Sequence, residues 1–485
     1  MGNQKKKIYD MIVVGGGSGG IAGAIRAGQL GKNVLLVESA ILGGTCVNLG
    51  CVPKKLLFSA ADFMSSVKNA EEFFSVEEII FRQEIFKSKS RNYIGRLGND
   101  VYPQKLNEAG VEVVESRAQS IRLLANRNGV EVTTDTQKNF HGKKVLIATG
   151  SKPYVPKIKG AELGITSDDF WFLEKLPESV AIVGGGYIAT EFANILHRLG
   201  VKVTMLIRGE NILRGFDEDI VRFVSEEMSS SGITIVNKAN IKSLERTNGK
   251  ISIWNGPTPL NGFETVIWAT GRIPNANFEG IKLPLDDKGK ILVGKGNQKV
   301  LGSERVYAVG DVCNRGMDLT PSAIHDARLL MELLFGKKKL PPTDAFSSCS
   351  SSVPTVVFST PTICAVGITE KEARERYGEA VNVVKVEFNS LDGALGEKKV
   401  RNTYKAVIVD EEGSPENPGS HIIVGIHLAG GKYVAEVAQL IPLLLEKKLQ
   451  DIKPALDHLV HPTATEELAG MIVRYIYEKL PAKVC

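Results

Sequence analysis

Two cysteines five residues apart carry the most reactive chemistry in the sequence. Cys46 and Cys51 lie in the segment GGTCVNLGCVPKK, in which glycines precede each cysteine and two lysines follow the second. In a straight helix this spacing puts the Cα atoms about 8.7 Å apart, whereas a disulfide needs about 4.4–6.8 Å. A disulfide or redox pair therefore requires a break in the helix, which the glycines permit; two unpaired core thiols are the alternative.

The doublet Lys54-Lys55 directly follows this pair. A cation near a thiol stabilises its thiolate, so one of the two sulfurs could have a lowered pKa. Two solvated lysines at the start of a helix are the other interpretation.

A histidine near the C-terminus is a candidate acid/base. His461 precedes Pro462, and Glu466 follows five residues later, where its carboxylate could orient the imidazole ring. Thr463 and Glu466 also have the spacing of a capping box at the start of a helix. The spacing alone leaves both roles for Glu466 open.

Two glycine-rich turns must position any redox chemistry. Each stands between an apolar strand and a helix of small and apolar residues, as in nucleotide-binding turns, where the pyrophosphate lies at the helix N-terminus. The turns are Gly15-x-Gly17-x-x-Gly20 and Gly184-x-Gly186-x-x-Ala189.

The residue that ends the second strand of each unit differs between the two. Glu38 lies 23 residues after Gly15, whereas Ile207 lies 23 residues after Gly184 and is followed by Arg208 and later Arg214. A carboxylate suits free ribose hydroxyls, and guanidinium groups suit a 2′-phosphate. The first site is thus typical of FAD or NAD and the second of NADPH, unless the two arginines are merely solvated loop charges.

Three further strand-like runs end in turns: Val145–Pro153, Val266–Pro274 and Arg305–Val312. The last places Asp311 just beyond a buried strand, where its carboxylate could meet sugar hydroxyls or cap the next helix.

Composition narrows the class of protein. The 485 residues are 43% hydrophobic and 24% charged, with a net charge of +5 and six cysteines, which indicates an ordinary globular protein without a nucleic-acid or membrane field. The cysteines are too few for a disulfide scaffold. The chain shows no membrane span or targeting segment, so we expect a cytoplasmic protein.

These motifs, together with LTPSAIHDAR and HPTATEE, follow one another in the order found in the pyridine nucleotide–disulfide oxidoreductases, and the resemblance covers essentially the whole chain. Within that family, the sequence is most similar to the branch that reduces glutathione disulfide with NADPH. The resemblance implies an α/β fold with two Rossmann-like dinucleotide-binding domains (FAD and NADPH) and a C-terminal α+β dimerisation domain. It implies an obligate homodimer in which Cys46 attacks substrate, Cys51 faces the flavin, and His461 and Glu466 reach the other subunit's cysteines. Lys54 and Glu191 would lie beside the flavin.

The resemblance also assigns binding residues. The FAD site would comprise Gly15, Gly17, Ser18, Gly20, Glu38, Thr45, Cys46, Lys54, Gly150, Asp311 and Thr320. The NADPH site would comprise Gly184, Gly186, Tyr187 (gating the nicotinamide), Ile188, Glu191, Arg208, Arg214 and Gly271. Substrate would meet Arg26, Tyr102 and Arg328.

Departures from the family pattern bear on the substrate. Ile25 stands where the glutathione branch often has a second basic residue, and His427–Val437 departs from the usual acidic pattern. The remaining arginines favour an anionic disulfide over cationic trypanothione. A thioredoxin-type reductase would need a second redox pair on its tail, where this chain has only Cys485.

The resemblance and the order of the motifs predict four segments: residues 1–155 for FAD with the cysteine pair, 156–280 for NADPH, 281–345 completing the FAD domain, and 346–485 for dimerisation. A polar helical stretch over about Glu84–Ala109 would interrupt the first, with Pro103 as a break.

Overall fold

The structure is a computed structural model that describes residues 7–70, 73–75, 78–124, 129–314, 317–337, 352–391, 394–396, 399–410 and 421–479. The predicted boundary at 345/346 and Cys485 lie outside the described residues.

The strands found in these ranges are short in the two nucleotide units and longer near the C-terminus. They are β1 (Ile8–Tyr9), β2 (Met11–Val14), β3 (Val34–Glu38), β4 (Val111–Glu115), β5 (Ala118–Leu124), β6 (Gly129–Thr134), β7 (Asn139–Gly142), β8 (Val145–Ile147), β9 (Ser151–Pro153), β10 (Ile165–Thr166), β11 (Ser179–Val183), β12 (Lys202–Leu206), β13 (Thr234–Val236), β14 (Ser243–Thr247), β15 (Lys250–Trp254), β16 (Pro259–Phe263), β17 (Thr265–Trp268), β18 (Arg272–Pro274), β19 (Val306–Ala308), β20 (Thr355–Val357), β21 (Thr362–Gly367), β22 (Val381–Asn389), β23 (Arg401–Asp410) and β24 (His421–Gly430).

The α-helices connect or cover these strands. They are α1 (Ser18–Gln29), α2 (Gly44–Asn48), α3 (Cys51–Asn69), α4 (Gln83–Arg96), α5 (Tyr102–Glu108), α6 (Tyr187–Arg198), α7 (Glu218–Ser231), α8 (Thr320–Phe335), α9 (Glu370–Tyr377), α10 (Val434–Val437), α11 (Leu449–Leu456) and α12 (Ala464–Lys479).

A parallel sheet in the order β19-β8-β2-β3-β4 forms the first nucleotide unit. All four residues of β2 are buried, as expected for an apolar strand covered on both faces. The helix α1 begins three residues after Gly15 and returns the chain to β3, so the glycine turn lies at the carboxyl end of β2. This edge is where open α/β sheets bind their ligands.

A second parallel sheet, β10-β17-β11-β12-β13, repeats this arrangement with α6 as its crossover. In the first sheet Val14 pairs with Val37, and in the second Val183 pairs with Leu206. The next residues, Glu38 and Ile207, therefore occupy equivalent positions beside their glycine turns.

The C-terminal unit is an antiparallel sheet in the order β20-β21-β24-β23-β22. Apolar residues of α12, including Leu468, Ile472 and Ile476, pack against it in one core with Tyr404 and Leu428. The predicted fold class, two parallel dinucleotide-type sheets with a C-terminal α+β unit, is confirmed.

The cysteine-bearing helix α3 lies between these units. Leu57, Phe58 and Ala61 share one hydrophobic core with α6 of the second unit and with Val357 and Ile363 of the C-terminal sheet. Burial of these side chains, about 1.5–3 kcal/mol for each large one, fixes the start of α3 where the three units meet.

The predicted polar stretch is helical, but its interruption lies before Pro103. α4 ends at Arg96, a π-helical turn covers Leu97–Val101, and Pro103 occupies the first turn of α5. Proline lacks an N–H donor and interrupts regular α-helical hydrogen bonding, which coincides with the π-helical turn directly before it. Among the described helices, none combines the length and apolarity needed to cross a bilayer.

Candidate active site

The helix carrying the two cysteines is broken between them, as the spacing requires. α2 ends at Asn48 and α3 begins at Cys51, with Gly50 outside helical geometry at φ −133° and ψ −109°. The indole N–H of Trp171 donates to the carbonyl of Leu49 at 2.7 Å and holds this break. Sequence analysis could not predict this contact, because Trp171 lies 122 residues from Leu49.

Thr320, the first residue of α8, joins the two sulfurs, which are both free thiols here. Its hydroxyl donates to the sulfur of Cys46 at 3.0 Å and lies 3.8 Å from that of Cys51. The side chain predicted to bind FAD thus contacts the redox pair itself.

The two thiols have opposite pKa shifts. The hydrogen bond from Cys46, with help from Thr320 and the charge of Lys54, lowers the pKa of Cys51 to about 6 against the opposing effect of burial. The pKa of Cys46 is raised, because it shares its proton with Cys51 and is buried. Cys51 is therefore the thiolate of the pair, and Cys46 keeps its proton until a base removes it.

Lys54 and Glu191, 137 residues apart in sequence, form a buried ion pair of 2.6 Å. Burial raises the pKa of Glu191, and the Lys54 charge opposes this shift. The backbone N–H of Phe358 also donates to Glu191 at 2.9 Å, and the Lys54 ammonium lies 4.2 Å from the Phe358 ring centroid. Sequence analysis did not identify Phe358 as a site residue, because it belongs to the C-terminal unit.

The first glycine turn has the shape of a phosphate cradle. Gly15 has φ +105°, and a Cβ there would lie 2.5 Å from the carbonyl oxygen of Ala148. A Cβ on Gly20 would lie 1.8 Å from the Gly15 oxygen, so only glycine fits. At Gly17 nothing lies closer than 3.8 Å, which leaves the ligand side open.

Glu38 braces this turn with its carboxylate. One oxygen accepts from the N–H of Gly16, and the other accepts from Ser39 at 2.7 Å and Ala40 at 2.9 Å. The Ser39 hydroxyl lies a further 3.4 Å from this second oxygen, whereas the oxygen bonded to Gly16 accepts only that one hydrogen bond in the described chain, so its other lone pair remains for a ribose hydroxyl.

The second turn lacks this brace and has cations instead. Gly184 has φ +138°, and a Cβ on it would lie 2.1 Å from the Ala269 oxygen, whereas Gly186 faces open space. Ile207, at the position equivalent to Glu38, is 1% exposed. Arg208 and Arg214 are exposed and form no ion pair within the described parts of the chain. The guanidinium groups of Arg208 and Arg214 are donors that fit a 2′-phosphate.

The remaining predicted cofactor residues lie near these turns. Ser18 starts α1 and its hydroxyl acts to lower the pKa of the nearby Cys46 thiol, Thr45 is exposed on α2, and Ile188 of α6 packs against the core. Gly150 and Gly271 have φ of +63° and +120° with open space at the Cβ position.

Asp311 of the first nucleotide unit and Tyr187 of the second interact electrostatically. Asp311 accepts from the Ser151 hydroxyl at 2.9 Å, and burial raises its pKa. The Tyr187 ring is 48% exposed at the start of α6, within electrostatic range of Asp311 and Arg272.

The C-terminal pair is formed, with Glu466 in one of its two possible roles. His461 Nδ1 lies 2.8 Å from Glu466 Oε2, and the histidine side chain is 78% exposed. The Thr463 hydroxyl accepts from the Glu466 N–H at 3.3 Å, so the threonine half of the capping box is present while the carboxylate holds the ring. Within the described residues, no hydrogen bond joins His461 to either cysteine of its own chain.

All three predicted substrate residues line one cleft of about 750 Å³. Ser18 lies at its wall, and burial, with a smaller contribution from the nearby Cys46, raises the pKa of Tyr102. Arg26 donates to Glu332, with its Nε at 2.6 Å, so its charge is already neutralised. Arg328 and Lys105, both exposed, have no ionic partner in the described chain. Lys105 was not among the predicted residues.

The departure at His427–Val437 lies partly in the core. His427 is 1% exposed, and its Nε2 lies 2.9 Å from the Ile368 carbonyl. Burial lowers the pKa of His427, so it stays neutral. This residue packs the sheet and does not face a cleft.

Comparison with known proteins agrees with this geometry. The family model described as pyridine nucleotide-disulphide oxidoreductase matches residues 9–327, and the dimerisation domain of the same family matches residues 353–472. Glutathione reductases from Yarrowia lipolytica, Burkholderia cepacia and Schizosaccharomyces pombe are 34%, 35% and 35% identical to the chain. Each comparison covers 96% of this chain and 98–99% of the relative. The chain therefore belongs to the pyridine nucleotide-disulphide oxidoreductases.

Proposed function

We propose that the protein reduces glutathione disulfide to glutathione with electrons from NADPH, as a homodimer that uses FAD and the Cys46–Cys51 pair. Family membership implies a flavin and a pyridine nucleotide. The observation that carries the proposal is the dithiol held by Thr320, beside the Lys54–Glu191 pair and next to a cleft with unpaired cations.

The two glycine turns suit different nucleotides. FAD would lie on the first, where Glu38 keeps one acceptor position, and NADPH on the second, where Arg208 and Arg214 have no ionic partner among the described residues. When bound, these groups supply the hydride chemistry that delivers two electrons to the cysteine pair.

The cysteines then act as a dithiol. The base His461 of the partner subunit removes the proton from Cys46, whose thiolate attacks one sulfur of the substrate disulfide. A mixed disulfide forms on Cys46 and the first glutathione leaves with that proton. The Cys51 thiolate next attacks the Cys46 sulfur, re-forms the bridge and releases the second glutathione.

Two observations support the participation of a second subunit. The pKa of Cys46 is raised, so a base is required, and among the described residues of one chain His461 forms no hydrogen bond to Cys46. The His461 ring is exposed and oriented by Glu466, as an acid/base acting on a neighbouring subunit would be. We also propose a cytosolic location, because such a dithiol works in a reducing compartment.

An anionic disulfide fits the cleft best. Arg328 and Lys105 line it and have no ionic partner in the part of the chain that the structure describes, whereas Arg26 pairs with Glu332. Lys105 provides a positive charge in this cleft, where Ile25 replaces a basic residue that is often present in the glutathione branch. The carboxylates of glutathione disulfide complement these charges, and cationic trypanothione disulfide does not.

A steady-state assay tests the proposal. NADPH oxidation by the FAD-loaded enzyme is measured with glutathione disulfide, trypanothione disulfide and oxidised thioredoxin. We expect the highest kcat/KM for glutathione disulfide; turnover with either other disulfide alone would overturn the assignment. Cys46→Ser should abolish disulfide reduction while NADPH still bleaches the flavin, and retained turnover would contradict the role of Cys46.

A further inference from the structure

A buried lysine in the C-terminal sheet contacts the second nucleotide unit. Lys405, in the middle of β23, is 2% exposed and lies 2.9 Å from Asp217, 2.7 Å from Asp219 and 2.7 Å from Glu370. Its ammonium has three donors, and each has a carboxylate. Two of these carboxylates belong to the nucleotide unit.

Asp217 ends the loop between β12 and α7, named here the 2′-phosphate loop because it carries Arg208 and Arg214. It caps α7 by accepting from the Asp219 N–H at 3.1 Å, and it accepts from the Glu370 N–H at 3.3 Å. Asp217 is itself 2% exposed, so its carboxylate needs these partners and the Lys405 charge. The end of the loop is thereby fixed to another unit.

The loop between β12 and α7 carries both arginines. Leu213, buried at φ +49°, donates its N–H to the carbonyl of Gly185 in the glycine turn at 2.6 Å. Arg214 therefore lies between an anchor at Leu213 and an anchor at Asp217. Since Arg208 and Arg214 have no side-chain partners of their own in the described chain, their directions depend on how firmly this loop is held.

We propose that Lys405 is a positioning residue for the 2′-phosphate loop: through Asp217 and Asp219 it holds the loop so that Arg208 and Arg214 converge on one phosphate. This inference rests on the proposed use of NADPH. Holding the loop before the ligand arrives reduces the ordering cost of binding, so Lys405 acts on affinity for the 2′-phosphate and not on the dithiol chemistry.

A second ion pair between β23 and α7 offers a matched control. Arg401, also on β23, pairs with Glu227 of α7 at 2.7 Å, and its guanidinium lies 5.1 Å from the Phe223 ring centroid. Glu227 is ten residues beyond Asp217, about 15 Å along the helix. Arg401 thus links the same two elements without touching the loop.

The experiment compares Lys405→Met with Arg401→Met in the FAD-loaded enzyme. The dissociation constant for adenosine 2′,5′-bisphosphate is measured by calorimetry, and KM and kcat are measured with NADPH and NADH at saturating disulfide. We expect Lys405→Met to weaken bisphosphate binding about tenfold and to raise KM for NADPH, with KM for NADH and both kcat values unchanged. Arg401→Met should leave all of these unchanged.

A second variant guards against misfolding, because Lys405→Met leaves the buried Asp217 carboxylate without a cation in the described chain, whereas Asp219 keeps Arg222 and Glu370 keeps Arg374. Lys405→Met combined with Asp217→Asn removes this charge and keeps a residue that can cap α7. Weak bisphosphate binding in this variant supports the proposal. Wild-type binding in both Lys405 variants, or equal weakening in Arg401→Met, overturns it.

The outcomes separate this inference from the proposed function. If the wild-type enzyme does not bind the bisphosphate, or if Arg208→Ala has no effect on it, the NADPH assignment fails. If wild type binds, Arg208→Ala weakens binding and Lys405→Met does not, only the role of Lys405 is wrong.

Discussion

Replacing Lys54 by methionine tests whether the buried ion pair holds the catalytic region together. The change removes the ammonium that lies 2.6 Å from Glu191 and leaves a carboxylate whose side chain is 6% exposed. Removing one partner of a buried pair costs about 3–5 kcal/mol, because the other charge is left uncompensated.

Protonation of Glu191 limits this cost. With an unfolded pKa of about 4.3, taking up a proton at pH 7 costs about 3.7 kcal/mol, at 1.36 kcal/mol per pH unit. We therefore expect Lys54→Met to lower the free energy of unfolding at pH 7 by about 3–4 kcal/mol.

The pH dependence has a definite sign. In the variant, the folded pKa of Glu191 lies above its unfolded value, because burial raises it and the Lys54 charge no longer opposes this. The folded state then binds the extra proton, so the deficit is smallest below the unfolded pKa and grows as the pH rises through the folded pKa. Lowering the pH from 7 to about 5 should remove much of the difference from wild type.

The assay is urea unfolding of the FAD-loaded dimer at fixed protein and FAD concentrations. Lys55→Met is the control, because the Lys55 ammonium lies 4.0 Å from the same Phe358 ring centroid and forms no ion pair with a described carboxylate. Lys54→Met/Glu191→Gln should recover most of the loss. A deficit in Lys54→Met no larger than in Lys55→Met, or one independent of pH, would refute the reasoning.

Three further predictions concern the dithiol and its two ligands. In the reduced enzyme, alkylation of Cys51 by iodoacetamide, followed by peptide mass spectrometry, should show a midpoint near pH 6, with the reactive thiolate present above it; a midpoint near the ordinary value of about 8.5 would contradict the thiolate assignment. Arg208→Ala should raise KM for NADPH about tenfold or more, since a charged hydrogen bond contributes about 1.5–3 kcal/mol. KM for NADH should not change, and the exposed Arg246→Ala serves as control. Arg328→Ala and Lys105→Ala should each raise KM for glutathione disulfide several-fold at unchanged kcat, more than Arg26→Met does; the reverse order would show that Arg26 recognises the substrate.

Local spacing predicted the parts of the site that are contiguous in the chain. The break between Cys46 and Cys51 follows from helix geometry and the nearby glycines, and both nucleotide turns follow from strand–turn–helix patterns. The contrast between Glu38 and Ile207 was also visible, because equivalent strand positions can be counted from the glycines.

Contacts between units could not be predicted in the same way. Trp171, Phe358 and Lys405 act through packing between elements more than 100 residues apart, and their residue types are ordinary for core strands and helices. The ion pair between Arg26 and Glu332 could not be predicted from spacing, because the two residues are 306 positions apart. Spacing alone could not decide whether Glu466 caps its helix or holds His461, since the N–H and the carboxylate of one residue serve different partners.

The most direct test of the central claim is the covalent intermediate on Cys46. Cys51→Ser, incubated with glutathione disulfide after reduction, should accumulate one glutathionyl group per subunit, located on Cys46 by peptide mass spectrometry, because no second thiol can resolve it. Cys46→Ser should carry none. Absence of the adduct in Cys51→Ser, or an equal adduct on Cys51 in Cys46→Ser, would contradict reduction of glutathione disulfide by attack from Cys46.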